Sequence, residues 1–94
     1  MYIVSLTYNR PMPEVEAALD AHIAWLDTYF ADGTFIAAGR KDPRTGGVIL
    51  IKDIDRARLD RILAEDAFQK VADYEVTKVN VTRGSADFSA LVGL

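Results

Sequence analysis

The sequence of 94 residues predicts an α+β fold in which one antiparallel sheet carries two helices on a single face. Two observations support this prediction. Segments with the apolar period of strands and segments with that of helices follow one another in the order strand, helix, strand, strand, helix, strand. The connections between them are short, which places both helices side by side on the same face of the sheet.

The first strand and the first helix have the clearest patterns. Residues 2–8 alternate between large apolar side chains and smaller ones, which is typical of a strand with one face on the core. Pro13 suits the first turn of a helix that runs from Met12 to about Ala31, and Asp32-Gly33 ends it. At about 100° per residue this helix has one apolar stripe with the only histidine at its centre. The stripe contains Val15, Ala18, Leu19, His22, Leu26 and Tyr29, with Trp25 and Phe30 beside it.

The middle of the chain predicts an antiparallel hairpin followed by a second helix. Residues 34–39 and 48–52 are short, β-rich apolar runs joined by a polar loop, and the second run has the composition of a central strand. Asp53-Ile54-Asp55 then precedes a helix from Arg56 to about Glu65. This helix has the apolar residues Leu59, Ile62 and Leu63 on one face, and Asp66 would continue that face.

The C-terminal part is predicted as a turn, a strand and a tail. Residues 67–72 form the turn, and residues 73–83 alternate as the last strand of a ferredoxin-like βαββαβ arrangement. We therefore expect one domain over residues 1–83. Residues 84–94 contain large apolar side chains but cannot form a core of their own, so we expect this tail to dock on the domain or on a dimer partner.

Composition and charge exclude several classes of function. The net charge is −3 and the basic residues are scattered, which argues against nucleic-acid binding. No apolar stretch approaches the roughly 20 residues that cross a bilayer, and we expect residues 1–10 to form a strand and not a secretory leader, so we expect a cytoplasmic protein. Half of the residues are hydrophobic, and Ile3 and Val81 fall on the sheet face without helices. These observations predict a homodimer that packs sheet on sheet.

His22 and Asp66 are the candidate catalytic residues. Both lie on the buried faces of the two neighbouring helices, so they are expected to be neighbours. A carboxylate bonded to one imidazole nitrogen leaves the other free to take or give a proton, as in proton abstraction, isomerisation or elimination. The competing interpretation is that His22 is a hydrogen-bonded core residue and Asp66 a helix-end cap.

The other polar residues support fewer kinds of chemistry. Arg40 is a candidate ligand for a substrate anion, since a guanidinium matches a carboxylate bidentately; the alternative is a solvated arginine. Ser5 is a candidate substrate contact, or simply a small polar residue of the first strand. One histidine, no cysteine and scattered carboxylates argue against a metal site, and no cofactor motif is present, so we expect neither.

Several ordered motifs resemble one known family. They are HIAWLDTYFADGTFIAAGR (His22 to Arg40), TGGVILI (Thr45 to Ile51), LAEDAF (Leu63 to Phe68) and YEVT (Tyr74 to Thr77). In this order they are similar to the YCII-related (YciI-like) proteins, over nearly the whole chain to about Arg83. The resemblance implies a ferredoxin-like, dimeric α+β-barrel fold. It also implies a pocket with a histidine–aspartate acid–base dyad, which maps onto His22 and Asp66.

Two departures from the family pattern affect the functional hypothesis. The family usually has proline at the positions of Ala67 and Arg40; the arginine places a cation at the expected pocket mouth. The resemblance extends to a dehydrochlorinase that acts on a chlorinated aromatic-ring metabolite. We therefore expect a cofactor-independent lyase or isomerase type of catalyst for a small carbonyl or anionic organic molecule. The alternative is a dimeric small-molecule-binding or accessory protein without turnover.

Overall fold

The computed structural model describes residues 1–94 and confirms the predicted ferredoxin-like α+β fold. The four strands form one antiparallel sheet in the order β2-β3-β1-β4. The elements are β1 (Tyr2–Tyr8), α1 (Met12–Ala31), β2 (Phe35–Arg40), β3 (Gly46–Ile51), α2 (Arg56–Ala64) and β4 (Ala72–Lys78), with 3₁₀ helices at Ala67–Lys70 and Ala86–Leu91. None of the helices combines the length and the hydropathy needed to cross a lipid bilayer.

The central strand β1 shows how the two faces of the sheet differ. Tyr2, Val4 and Leu6 are buried among the residues of the helices, whereas Ser5 and its neighbours of the same parity lie on the opposite face. On β3, Gly46 lies opposite Thr7, and a Cβ there would approach the Leu6 carbonyl oxygen to 1.8 Å. Glycine is therefore required at the start of β3 for the strands to pair in this register.

Helix α1 buries a narrower stripe than the predicted one. Its buried residues are Val15, Ala18, His22 and Trp25. Trp25, expected beside the stripe, is a core residue, whereas Leu19, Leu26 and Tyr29, expected within it, are only partly buried. The indole explains the difference, because its Nε1–H donates to the Ile62 carbonyl of α2 at 2.9 Å and its ring packs edge-on against Phe35.

The last strand is shorter than the predicted segment 73–83. Strand β4 ends at Lys78, which lies opposite Tyr2, the first residue of β1. Since β4 is an edge strand that pairs only with β1, residues beyond Val79 have no strand to pair with. Val81, predicted on the helix-free sheet face, therefore lies outside the sheet, where its carbonyl accepts from the Gly93 amide at 3.3 Å.

The C-terminal tail touches the domain at its end and is exposed in its middle. The amino group of Met1 donates to the carbonyl oxygens of Val79 and Leu94. Phe88, within the second 3₁₀ helix, keeps 61% of its surface exposed. Docking of this tail on a partner subunit, and the division of the chain at residue 83, stay predictions.

Candidate active site

A pocket of about 190 Å³ opens between α1 and the half of the sheet formed by β2 and β3. Its walls are mostly apolar. They comprise Leu6, Tyr8, Leu19, His22, Ile23, Leu26, Ala38, Gly39, Arg40, Gly46, Gly47, Val48, Ile49 and Phe68. Space is left at this point because the sheet presents small residues to the helix. Gly47, for example, lies opposite Leu6 on the helix-facing side and has no side chain to fill the gap.

His22 and Asp66 meet at the buried end of this pocket. The Nδ1 atom of His22 lies 2.7 Å from Oδ1 of Asp66, and the carboxylate side chain has no exposed surface. The imidazole is 11% exposed and lines the pocket. Its Nε2 atom forms no hydrogen bond within the chain and is not among the buried unpaired atoms. The free nitrogen is therefore available to a molecule in the pocket.

Phe68 fixes both partners of this pair. Its ring stacks on the His22 imidazole, with 3.7 Å between centroids and 5° between planes. Its backbone N–H donates to Oδ1 of Asp66 at 3.0 Å, because Asp66 is the N-cap of the 3₁₀ helix Ala67–Lys70. The predicted cap and the predicted contact with histidine are thus made by the same oxygen atom. The short motif Asp66-Ala67-Phe68 therefore supplies the carboxylate, the amide that holds it and the ring that stacks on His22.

Tyr74 is the residue of the site that the sequence interpretation missed. It lies on the helix-facing side of β4, opposite Leu6, and its hydroxyl donates to Oδ2 of Asp66. Burial, together with the hydrogen bond to Asp66, raises the pKa of Tyr74 far above its usual range, so the hydroxyl keeps its proton. Its position was readable from the alternation of β4. The signal that could have found it is the need of a buried carboxylate for several hydrogen-bond donors.

Arg40 and Ser5, the two predicted substrate contacts, lie in different places. Arg40 ends β2 opposite Gly47 and lines the exposed mouth of the pocket. Ser5 is absent from the lining, and its placement corrects the expectation. Strand alternation puts it on the sheet face opposite His22, because its neighbours Val4 and Leu6 face the helices.

A different tyrosine–carboxylate pair joins the C-terminal ends of the two helices. The hydroxyl of Tyr29 donates to the exposed carboxylate of Glu65, and this hydrogen bond, with some burial, raises the pKa of Tyr29 to about 12. Tyr29 does not line the pocket. No three His, Asp or Glu side chains come together in an arrangement that could hold a metal ion.

The fold and the pocket define a small ferredoxin-like domain with a buried histidine–carboxylate pair at the edge of an apolar cavity. Residues 1–82 match the YCII-related domain. The chain therefore belongs to the YCII-related family, and the resemblance seen in its motifs is confirmed. A comparison with curated proteins finds no match.

Among solved structures, the chain is similar to the 5-chloro-2-hydroxyhydroquinone dehydrochlorinase TftG from Burkholderia phenoliruptrix AC1100, in complex with 2,5-dihydroxybenzoquinone. The two share 19% sequence identity and superpose with a TM-score of 0.61. The match covers 84% of this chain and 93% of the other. At this identity the similarity shows a common fold.

Proposed function

We propose that this protein is a cofactor-independent acid–base catalyst that acts on a small carbonyl-bearing or anionic organic molecule. The observation that carries the proposal is the 2.7 Å contact of His22 with the fully buried Asp66, at a cavity that Nε2 can reach. A carboxylate on one ring nitrogen orients the imidazole and leaves the other nitrogen as the base. The fold that the chain shares with a small-molecule dehydrochlorinase supports the same class of chemistry.

The proposed reaction begins with proton transfer to His22. Nε2 takes a proton from a carbon or hydroxyl next to a carbonyl group, and the electron pair of the broken bond moves toward the carbonyl oxygen. The imidazolium then returns the proton at another atom, which is isomerisation, or a leaving group departs with its electron pair, which is elimination. Asp66 orients the ring and stabilises the imidazolium without touching the substrate.

Arg40 is the proposed anion contact of the site. It is the one charged residue that lines the pocket, and its position at the mouth suits a carboxylate or phenolate that points outward. The remaining lining is apolar and would enclose a ring or a short carbon chain. The substrate class that fits is therefore a compact, largely apolar molecule with one anionic end and an acidic proton near its carbonyl group.

The proposed assembly is a homodimer through the helix-free face of the sheet. Ile3 of β1 and Leu50 of β3 lie opposite each other and are only partly buried in the chain. Since β1 and β3 lie at the centre of the sheet, these side chains form an apolar strip there. A second copy would cover the strip.

Proton exchange tests the proposed chemistry without knowledge of the product. Small carbonyl acids, lactones and hydroxyquinones are incubated with the protein in deuterated water, and loss of the C–H signal is followed by NMR. We expect His22→Ala to slow the exchange of an active compound by a factor of about 10² to 10⁴, the usual contribution of a general base. Asp27→Asn, on the exposed side of the same helix, is the matched control. Equal rates for wild type and His22→Ala would remove His22 from the mechanism.

Binding measurements separate the catalyst from a binding protein. The probe is 2,5-dihydroxybenzoquinone, and the readout is the fluorescence of Trp25, whose ring centre lies 5.6 Å from that of His22. Arg40→Ala should weaken binding of this acidic molecule, whereas Lys41→Ala, on a residue that does not line the pocket, should not. Binding that depends on His22 and Arg40, with no proton exchange of any compound, would favour the binding protein.

A further inference from the structure

Three hydrogen-bond donors surround the carboxylate of Asp66, and they come from three different parts of the chain. Oδ1 lies against Nδ1 of His22 and accepts from the Phe68 amide, while Oδ2 accepts from the Tyr74 hydroxyl. The Phe68 amide lies two residues after Asp66, and Nδ1 of His22 belongs to α1. The third comes from β4, and its residue does not line the pocket.

We propose that Tyr74 is a positioning residue of this site: by donating to Oδ2, its hydroxyl fixes Asp66 so that His22 carries its proton on Nδ1 and presents a bare Nε2 to the pocket. Tyr74 does not line the cavity, so it would act only through Asp66. The catalytic meaning of this proposal rests on the proposed acid–base function. The imidazole tautomer that it specifies can be measured independently of any reaction.

Removal of the Tyr74 hydroxyl would leave a buried oxygen atom of Asp66 without a hydrogen-bond donor. The Asp66 side chain is sealed from solvent, so Oδ2 has no water to accept from if the hydroxyl is removed. A carboxylate with an unsatisfied oxygen gains by rotating or by binding a proton, and either change weakens the hold on Nδ1. The raised pKa of Tyr74 keeps its hydroxyl a donor over the whole neutral range. Tyr74 thus acts on the position of the proton at His22 through the second oxygen atom of Asp66.

The single histidine of the chain makes the test direct. The ¹⁵N chemical shifts of the neutral imidazole report which nitrogen is protonated, and all histidine signals belong to His22. We expect the Nδ1–H tautomer to dominate in the wild type and its ratio to the Nε2–H tautomer to fall about tenfold in Tyr74→Phe, the factor for one net hydrogen bond. Tyr29→Phe is the matched control, since it removes a tyrosine–carboxylate bond outside the pocket. Unchanged His22 shifts in a folded Tyr74→Phe protein would overturn the proposal.

A second variant keeps the test valid if Tyr74→Phe does not fold. 3-Fluorotyrosine placed at position 74 keeps the ring and hydroxyl but makes the hydroxyl a stronger acid. It should draw charge from Asp66 and shift the Nδ1 signal of His22, whereas the same substitution at position 29 should not. If 3-fluorotyrosine at position 74 leaves the Nδ1 signal of His22 unshifted, the proposal is overturned. If Tyr74 controls the tautomer but no compound undergoes exchange, the positioning role stands and the proposed function fails.

Discussion

Removing the carboxylate of Asp66 should strongly destabilise the fold. Asp66→Ala leaves the buried Phe68 amide, the Tyr74 hydroxyl and Nδ1 of His22 without their acceptor. A buried donor that loses its partner costs about 1–3 kcal/mol, and three donors lose theirs in this variant. We therefore expect a loss of about 3–5 kcal/mol, a large part of the roughly 5–15 kcal/mol of a typical domain.

Asp66→Asn separates the contribution of charge from that of hydrogen bonding. The amide oxygen can replace Oδ1, and its NH₂ group can turn toward Tyr74, whose hydroxyl then accepts instead of donating. Since all three contacts survive without their charge assistance, the loss should be only about 1–2 kcal/mol. Asp60→Ala, which removes an exposed ion pair with Arg56, should change stability by less than about 0.5 kcal/mol.

The assay is urea unfolding followed by the fluorescence of Trp25, the only tryptophan and a core residue next to His22. Midpoints at constant m-value give the differences in the free energy of unfolding. The expected order of loss is Asp66→Ala, then Asp66→Asn, then Asp60→Ala. A loss below about 1 kcal/mol for Asp66→Ala would refute the reasoning, because it would mean that the three donors find other partners.

Three further substitutions test the fold, the assembly and a pH effect. Gly46→Ala should destabilise the protein by about 1–3 kcal/mol in thermal unfolding, since its Cβ would overlap a β1 carbonyl, whereas Gly39→Ala meets nothing within 4 Å and should not. Leu50→Glu should convert the proposed dimer to a monomer in sedimentation, and a dimer that survives the substitution would place the interface elsewhere. The pKa of Tyr29 is raised above 10, so its hydrogen bond to Glu65 stabilises the fold below pH 10 and that stability is lost as pH rises to about 12. Tyr29→Phe should therefore remove an absorbance step at 295 nm near pH 12, and an unchanged titration curve would contradict the contact.

The order of elements and the pairing of His22 with Asp66 could be predicted because both depend on local periodicity. Helical phase placed each residue on the buried side of its helix, and short connections placed the helices side by side. The end of β4 could not be predicted in this way. It depends on where β1 begins, which is a property of the register between two strands and not of residues 79–83 themselves.

The misplacement of Ser5 has a different origin. The alternation of residues 2–8 can be read from the sequence. It puts Ser5 on the other face of the sheet from Val4 and Leu6, so the sequence already argued against a contact with His22. Tyr74 was missed for the reverse reason. Its place in the alternation of β4 puts it on the helix-facing side of the sheet. Whether its hydroxyl contacts Oδ2 of Asp66 depends on the distance between the end of α2 and β4, which periodicity does not describe.

The structure also changes how the two interpretations of Asp66 relate to each other. A helix cap and a partner for histidine were competing explanations, yet Oδ1 performs both roles and Oδ2 adds a third contact. Because the cap fixes the backbone of Asp66 and the stacked ring of Phe68 fixes the plane of His22, neither partner can rotate without breaking a contact that stabilises the fold. The imidazole is therefore oriented before any ligand arrives. Such preorganisation is what a general base requires, since no free energy is then spent on aligning Nε2 during the reaction.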